Sequence, residues 1–167
     1  MIINSDRSTT CCFTGHRIIP NNEIKPLQKV LRAAILERYN CGYRTFVGGG
    51  AIGFDSLAEL TVIELRMEYP DIRLVLVAPC ADQDSRWNFS QRAVYDRIKR
   101  SADEIITLHE AHVDGCMLER NRVMVEMSSS CIAFYNGHPG GTRFTIDRCR
   151  ERKLYIVNLF EKFRAVN

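Results

Sequence analysis

The chain has 167 residues, room for one domain with a sizeable core, and its 46% hydrophobic and 26% charged residues exclude a disordered segment. A formal charge of +3 neither demands nor excludes nucleic acid, because such a footprint needs clustered cations rather than a small surplus. No run approaches the ~20 apolar residues of a membrane span, and positions 1–10 carry no apolar signal core, so a soluble, cytoplasmic protein is expected.

In chain order, Thr9 to Phe13 reads as a first buried strand that ends at Thr14-Gly15-His16-Arg17, a loop suited to face a ligand. Ile24, Leu27, Leu31, Ala34 and Ile35 keep helical spacing up to Asn40, with Pro26 placed in the first turn and Gly42 at the stop. Tyr43 to Val47 is a second strand, and after Gly53 a helix carries Phe54, Leu57, Ala58, Thr61, Val62 and Leu65 on one side until about Glu68. Ile72 to Ala78 is a third strand, followed by Pro79-Cys80-Ala81-Asp82-Gln83 and a helix with Trp87, Gln91, Val94 and Ile98 on one stripe. Glu104 to Leu108 forms a fourth strand and Gly115 to Met127 a fourth helix. Cys131 to Tyr135 is the fifth strand, a short helix runs to about Lys153, Leu154 to Asn158 is the sixth strand, and the tail to Asn167 is too short for a domain.

Strands alternating with helices, without a linker or repeat, predict a single α/β domain over 1–167 whose parallel sheet of about six strands is covered on both faces. In such sheets ligands bind beyond the carboxyl ends of the strands, near the point where strand order reverses. The loops that follow the strands hold most of the glycines and all four histidines.

The centre of the pattern is Phe46 to Leu60, a strand, a glycine turn and a helix. Gly48, Gly49 and Gly50 can take positive φ and admit a ligand to bare backbone, and the helix start after Gly53 offers unpaired amides to an anion. No Lys-Ser or Lys-Thr follows, so this is not the Walker loop. Asp55, in the first helical turn, suits a cap, a ribose hydroxyl or the orientation of a water, and Glu59 lies one turn further on the same face. Gly140-Gly141-Thr142 is a second glycine turn that opens a helix, and two such turns favour a phosphate or nucleotide site. In the preceding helix Met117, Met124 and Met127 share a stripe with Arg120 and Asn121, where an arginine must reach a partner or solvent.

Met-Leu-Glu-Arg-Asn-Arg-Val-Met at 117–124, with Pro-Gly-Gly-Thr at 139–142, resembles the Lonely Guy (LOG) type phosphoribohydrolases, which cleave nucleoside monophosphates at the glycosidic bond. The whole chain is more similar to the YpsA-like proteins of the SLOG superfamily. That likeness rests on Cys-Phe-Thr-Gly-His-Arg at 12–17, Gly-Gly-Gly-Ala-Ile-Gly-Phe-Asp at 48–55, Pro79-Cys80 with Gln83 and Trp87, Arg120-Asn121 with Met124, and Gly140-Gly141-Thr142. The resemblance implies a three-layer Rossmann-like fold that binds a nucleotide or a derivative of NAD or ADP-ribose. In the phosphoribohydrolases the helix arginine, matched by Arg120, works with a glutamate shortly after the glycine turn. Here Arg143, Phe144 and Thr145 follow Thr142 and the first carboxylate is Asp147, so the expected acid is missing. Asp55 or Glu59 would then steady the developing charge on the ribose or activate water.

Arg17 and Arg120 are therefore the candidates for phosphate, with Gly15, His16 and Asn121 beside them, while Gln83 and Trp87 are placed to read and stack on a base. His16, His109, His112 and His138 with Cys80 carry metal-ligating atoms, but His-Glu-Ala-His at 109–112 is too short for the helical zinc motif and no metal is expected. Seven cysteines, an odd number without a Cys-x-x-Cys pair, fit reduced thiols that pack as small hydrophobes, as at Cys11, Cys12 and Cys131. The basic run Arg143, Arg148, Arg150, Arg152 and Lys153 is interleaved with acids and poor in aromatic platforms. Although the superfamily also resembles DNA-processing proteins that bind single strands, nucleic acid is not the expected partner. The expected function is a nucleotide sensor or regulator, with a glycosidic-bond hydrolase as the alternative and a homo-oligomer compatible with either.

Overall fold

The computed structural model describes residues 5–166. A short 3-10 turn, Arg7–Thr9, leads into β1 (Thr10–Gly15), and Asp6 caps that turn by accepting from the Ser8 amide at 2.9 Å. The chain then alternates through α1 (Asn21–Asn40), β2 (Thr45–Gly48), α2 (Phe54–Arg66), β3 (Arg73–Ala78), α3 (Phe89–Ser101), β4 (Glu104–Thr107), α4 (Cys116–Glu126), β5 (Ser130–Phe134), α5 (Gly141–Glu151), β6 (Tyr155–Asn158) and α6 (Leu159–Val166). The six strands form one parallel sheet in the order β4-β3-β2-β1-β5-β6. Strand order therefore reverses between β1 and β5, and this is the switch point where the two halves of the sheet part.

Alternation along each strand divides the core in two. Cys11, Phe13, Phe46, Leu74, Leu76, Ile132 and Phe134 point to the face covered by α1, α2, α3 and α6. Cys12, Val47, Val75, Val77, Cys131 and Ala133 point to the opposite face, where α4 and α5 contribute Met124, Val125, Met127, Ile146 and Cys149. Side chains that alternate with period two can serve both layers only because helices cover both sides, the arrangement the near-continuous apolar strands predict.

Most element ends fall within two residues of the sequence reading, and three differences are larger. Helix α1 begins at Asn21 rather than Ile24, which leaves Pro26 inside the helix instead of its first turn. Helix α3 begins at Phe89, because Asn88 caps it: the Gln91 amide donates to Asn88 Oδ1 at 2.9 Å and the Asn88 amide to Gln91 Oε1 at 3.1 Å. Trp87 thus precedes the helix instead of lying on its stripe. The tail is a helix, α6, which buries Leu159 and Phe163 against α1 and β5.

Candidate functional site

A cleft of ≈ 260 Å³ opens at the carboxyl ends of β1 and β5, at the switch point. Four segments build it. Thr14 to Arg17 follow β1, Ala51 and Asp55 come from the turn into α2, Met117 to Asn121 form the start of α4, and His138 to Thr142 lead into α5.

The loop after β1 is fastened to α2 by backbone packing. Gly53, with φ +85°, is the residue before α2, and a Cβ there would lie 2.3 Å from the Arg17 carbonyl oxygen. The Phe54 amide then donates to the His16 carbonyl at 3.0 Å, so one of the open amides of α2 is already used. The His16 ring is fixed from the other side, because its Nε2 accepts from the Asn136 amide at 2.9 Å. In the neutral ring the proton must then sit on Nδ1, and burial followed by the charge of His138 lowers the pKa of His16. Arg17 itself is exposed on the rim of the cleft.

The glycine turn after β2 is arranged differently from its sequence reading. Its amides face two carboxylates of α2 instead of the cleft. The Gly50 amide donates to Glu59 Oε1 at 2.8 Å, and the amides of Gly49 and Ala51 face Asp55. A Cβ on Gly48 would lie 2.0 Å from Glu59 Oε1, so the missing side chain is what gives Glu59 its place. Gly48, Gly49, Gly50 and Gly53 do not line the cleft, while Ala51 and Asp55 do. The turn has the form of an anion nest, but the carboxyl groups that fill it belong to the protein.

Arg120 locks this assembly from α4. Its side chain is 3% exposed; Nε donates to Asn121 Oδ1 at 2.8 Å, and Nη1 donates to the Gly49 carbonyl and, at 3.3 Å, to Gln83 Oε1. Gln83 Nε2 donates to the same Gly49 carbonyl at 3.3 Å. A Cβ on Gly49 would lie 2.5 Å from Arg120 Nη1, so glycine is also what lets the guanidinium approach. Burial lowers the Arg120 pKa, and Asp55 and Glu59 pull it back up.

The carboxyl groups feel the same enclosure. Burial pushes the Asp55 carboxyl up to about 6 against the opposing charge of Arg120. Glu59, fully buried, is raised well above the ordinary range by burial and then by Asp55, and its Oε2 has no hydrogen-bond partner. Three ionisable groups thus share one buried pocket, and of the three only Asp55 and Arg120 reach the cleft wall.

Across the cleft, α5 presents open amides. The Phe144 amide donates to the Gly140 carbonyl at 3.1 Å and closes the first turn. Gly141, Thr142 and Arg143 precede that bond, and helix geometry leaves their amides without an intrahelical acceptor. A Cβ on Gly141 would meet nothing within 4 Å, so space in front of this helix start is open. The second glycine turn therefore has the free amides that the first was expected to supply.

The remaining sequence candidates lie elsewhere. Gln83 is buried beneath the glycine turn, and Trp87 packs edge-on to Tyr95 with ring centroids 5.3 Å apart, so neither lines the cleft. Glu59 is sealed behind Gly48. Asp147, the first acid after Thr142, is ion-paired with Arg143 at 3.7 Å and Arg150 at 3.2 Å, outside the cleft. His109 pairs with Glu119 at 2.6 Å instead of joining His16 and His138. The basic run on α5 is laced with acids, Arg148 and Arg152 both meeting Glu126.

An open parallel sheet with helices on both faces and a cationic cleft at its switch point defines a Rossmann-like α/β protein. Comparison with known proteins agrees: a model of the family described as YspA SLOG (YpsA) matches residues 14–160. The chain belongs to that family. It is similar to the uncharacterized SPbeta prophage-derived protein YoqJ of Bacillus subtilis (strain 168), with 31% identity over 121 residues, 65% of this chain and 71% of the relative. It is also similar to a UPF0398 protein of Bacillus cereus (strain B4264), 24% identical over 132 residues that cover 77% of this chain and 72% of the relative.

Among solved structures the fold matches DNA processing protein A (DprA) from Streptococcus pneumoniae, with a TM-score of 0.62 and 16% identity over 89% of this chain. It likewise matches DNA processing protein A from Helicobacter pylori, described for its single-stranded DNA binding mode, with a TM-score of 0.63 and 18% identity over 90% of this chain. The chain spans 49% and 64% of those two longer proteins. The fold is thus shared with a protein described as binding single-stranded DNA, and this corrects the expectation set against nucleic acid. That expectation weighed the interleaved acids of the basic run and the scarcity of aromatic platforms, whereas a single strand also presents phosphates and sugars that a switch-point cleft can meet. Among the described residues, no helix is long and apolar enough to cross a membrane.

Proposed function

We propose that the cleft between β1 and β5 binds the phosphoribosyl part of a nucleotide or nucleotide-derived ligand, and that the chain serves as a single sensing or regulatory domain. The observation that carries this reading is the facing of unlike groups across one cleft. The open amides of α5 and the Arg17 side chain stand ready for a phosphate, and Asp55 is a carboxylate acceptor suited to ribose hydroxyls. At ≈ 260 Å³ the cleft is smaller than the roughly 300 to 1,000 Å³ of pockets that bury a drug-sized ligand, so it suits a sugar phosphate whose attached base or second phosphate lies outside. Arg120 supports the site from behind by holding the Gly49 carbonyl and the charge of Asp55 in place. Seven free cysteines accord with a reducing cytoplasm.

One observation favours a second reading, glycosidic-bond hydrolysis. Asp55 is a mostly buried carboxyl on the cleft wall with a pKa of about 6, the condition in which a carboxyl can both accept and return a proton near neutrality. A single-stranded nucleic acid offers the same phosphate and sugar chemistry as a free nucleotide. The deciding experiment combines thermal shift and released base across nucleoside monophosphates, NAD, ADP-ribose and a single-stranded oligonucleotide. A shift without release supports the sensor, and release lost in Asp55→Asn supports the hydrolase. No response to any member overturns both.

A further inference from the structure

On the sheet face opposite α2, three cysteines meet. Cys12 of β1 and Cys131 of β5 are register partners in adjacent parallel strands, so their side chains leave the sheet side by side. Cys149 of α5 lies over them, and the three sulfur atoms all fall within 4.8 Å of one another. All three residues are 0% exposed, in a nest of Val47, Met124, Val125, Ala133, Ile146 and Leu154. Their separation in sequence conceals the group, which exists only because strand order reverses between β1 and β5.

We propose that Cys12, Cys131 and Cys149 form a three-sulfur site for a soft thiophilic ion, and that the ion it favours is trivalent arsenic. Three sulfurs bound to one centre at about 2.3 Å, the zinc–sulfur length, lie roughly 4 Å apart, within the spacing seen here. A structural zinc takes a fourth ligand, and among the described residues no fourth cysteine, histidine or carboxylate joins the group. Charge then separates the remaining ions. Three thiolates leave two negative charges around copper(I), one around a divalent metal and none around arsenic(III), and a dry apolar nest strongly disfavours net charge. Loading is a balanced condensation without redox change: arsenous acid and three thiols give three As–S bonds and three waters. Because the sulfurs are sealed, entry requires α5 to lift by local opening, so loading is slow.

The test uses the reduced full chain with Cys41, Cys80 and Cys116 replaced by serine, exposed under anaerobic conditions to arsenite, zinc(II) or copper(I) and read by native mass spectrometry and thermal unfolding. The expected result is one arsenic per chain, a mass gain of one arsenic less three protons, slow uptake and a raised Tm. Cys149→Ala and Cys131→Ala, each confirmed as folded by circular dichroism, lose the arsenic; two variants guard against one failing to fold. No arsenic on the folded parent, arsenic retained by either alanine variant, or zinc or copper(I) bound in its place overturns the assignment.

Discussion

The Gly50 amide and the Glu59 carboxyl form a hydrogen bond of 2.8 Å that fills the first glycine turn from within. This turn has the outward form of a phosphate loop, yet its amides serve to hold two buried carboxyl groups in place. The open amides at the cleft lie instead at the start of α5, across the switch point.

Glycine at position 48 is a requirement of packing with Glu59. Gly48→Ala places a Cβ 2.0 Å from Glu59 Oε1 and 2.6 Å from its Cδ, with no room for retreat in a fully buried pocket, and is expected to cost about 3 kcal/mol. Glu59→Gln keeps an acceptor for the Gly50 amide at nearly the same volume, so it stays within about 1 kcal/mol of the parent. Glu59→Ala leaves that amide unsatisfied beside a cavity and costs roughly 2 to 4 kcal/mol. Urea unfolding ranks the three, and an equal cost for Gln and Ala contradicts the role of the hydrogen bond.

Asp55 makes stability depend on pH in a stated direction. Its folded pKa of about 6 lies above its ordinary value of 3.8, so the fold binds its proton more tightly than the unfolded chain does. The resulting stabilisation is complete below pH 3.8 and is lost as pH rises through about 6, a change on the order of 3 kcal/mol. Asp55→Asn carries no such proton. Its stability relative to the parent should therefore climb between pH 4 and pH 7 by about that amount, measured by urea unfolding at each pH; parallel curves contradict the assignment.

Arg120 links α4 to the glycine turn. Arg120→Leu leaves the Gly49 carbonyl with only the 3.3 Å bond from Gln83 Nε2 and removes the cation nearest both carboxyls, and it is expected to cost roughly 3 to 5 kcal/mol. Arg120 holds the Asp55 pKa down against burial, so in the variant the Asp55 titration, followed by carboxyl carbon NMR, moves upward. A downward or unchanged titration contradicts the coupling. Arg120→Lys does not restore the parent, because a point charge cannot serve Asn121, Gly49 and Gln83 at once.

The architecture was legible because apolar strands alternate with helical stripes, and Val75 and Val77 serve one layer while Leu74 and Leu76 serve the other. The clustering of strand-end loops was legible too, which placed His16, Arg17, Asp55, Arg120, Gly140, Gly141 and Thr142 along one cleft. What spacing could not reveal was the direction of the Gly48 to Gly50 amides, since that depends on Glu59 reaching back one helical turn. Trp87 was misplaced because the Asn88 and Gln91 capping box, a readable signal, lies immediately after it. The meeting of Cys12, Cys131 and Cys149 depends on strand order, which hydrophobic periodicity does not encode.

The most direct test of the cleft is calorimetric titration of the parent and Gly141→Asp with nucleoside monophosphates, NAD, ADP-ribose and a single-stranded oligothymidylate. An aspartate at this first helical position is exposed and favourable to the helix dipole, so the fold is kept while a negative charge occupies the place proposed for phosphate. The parent is expected to bind at least one of these ligands, and Gly141→Asp, at unchanged Tm, to bind it at least about tenfold more weakly. Binding of equal strength in both proteins, or no binding by the parent, contradicts a phosphate place at the start of α5.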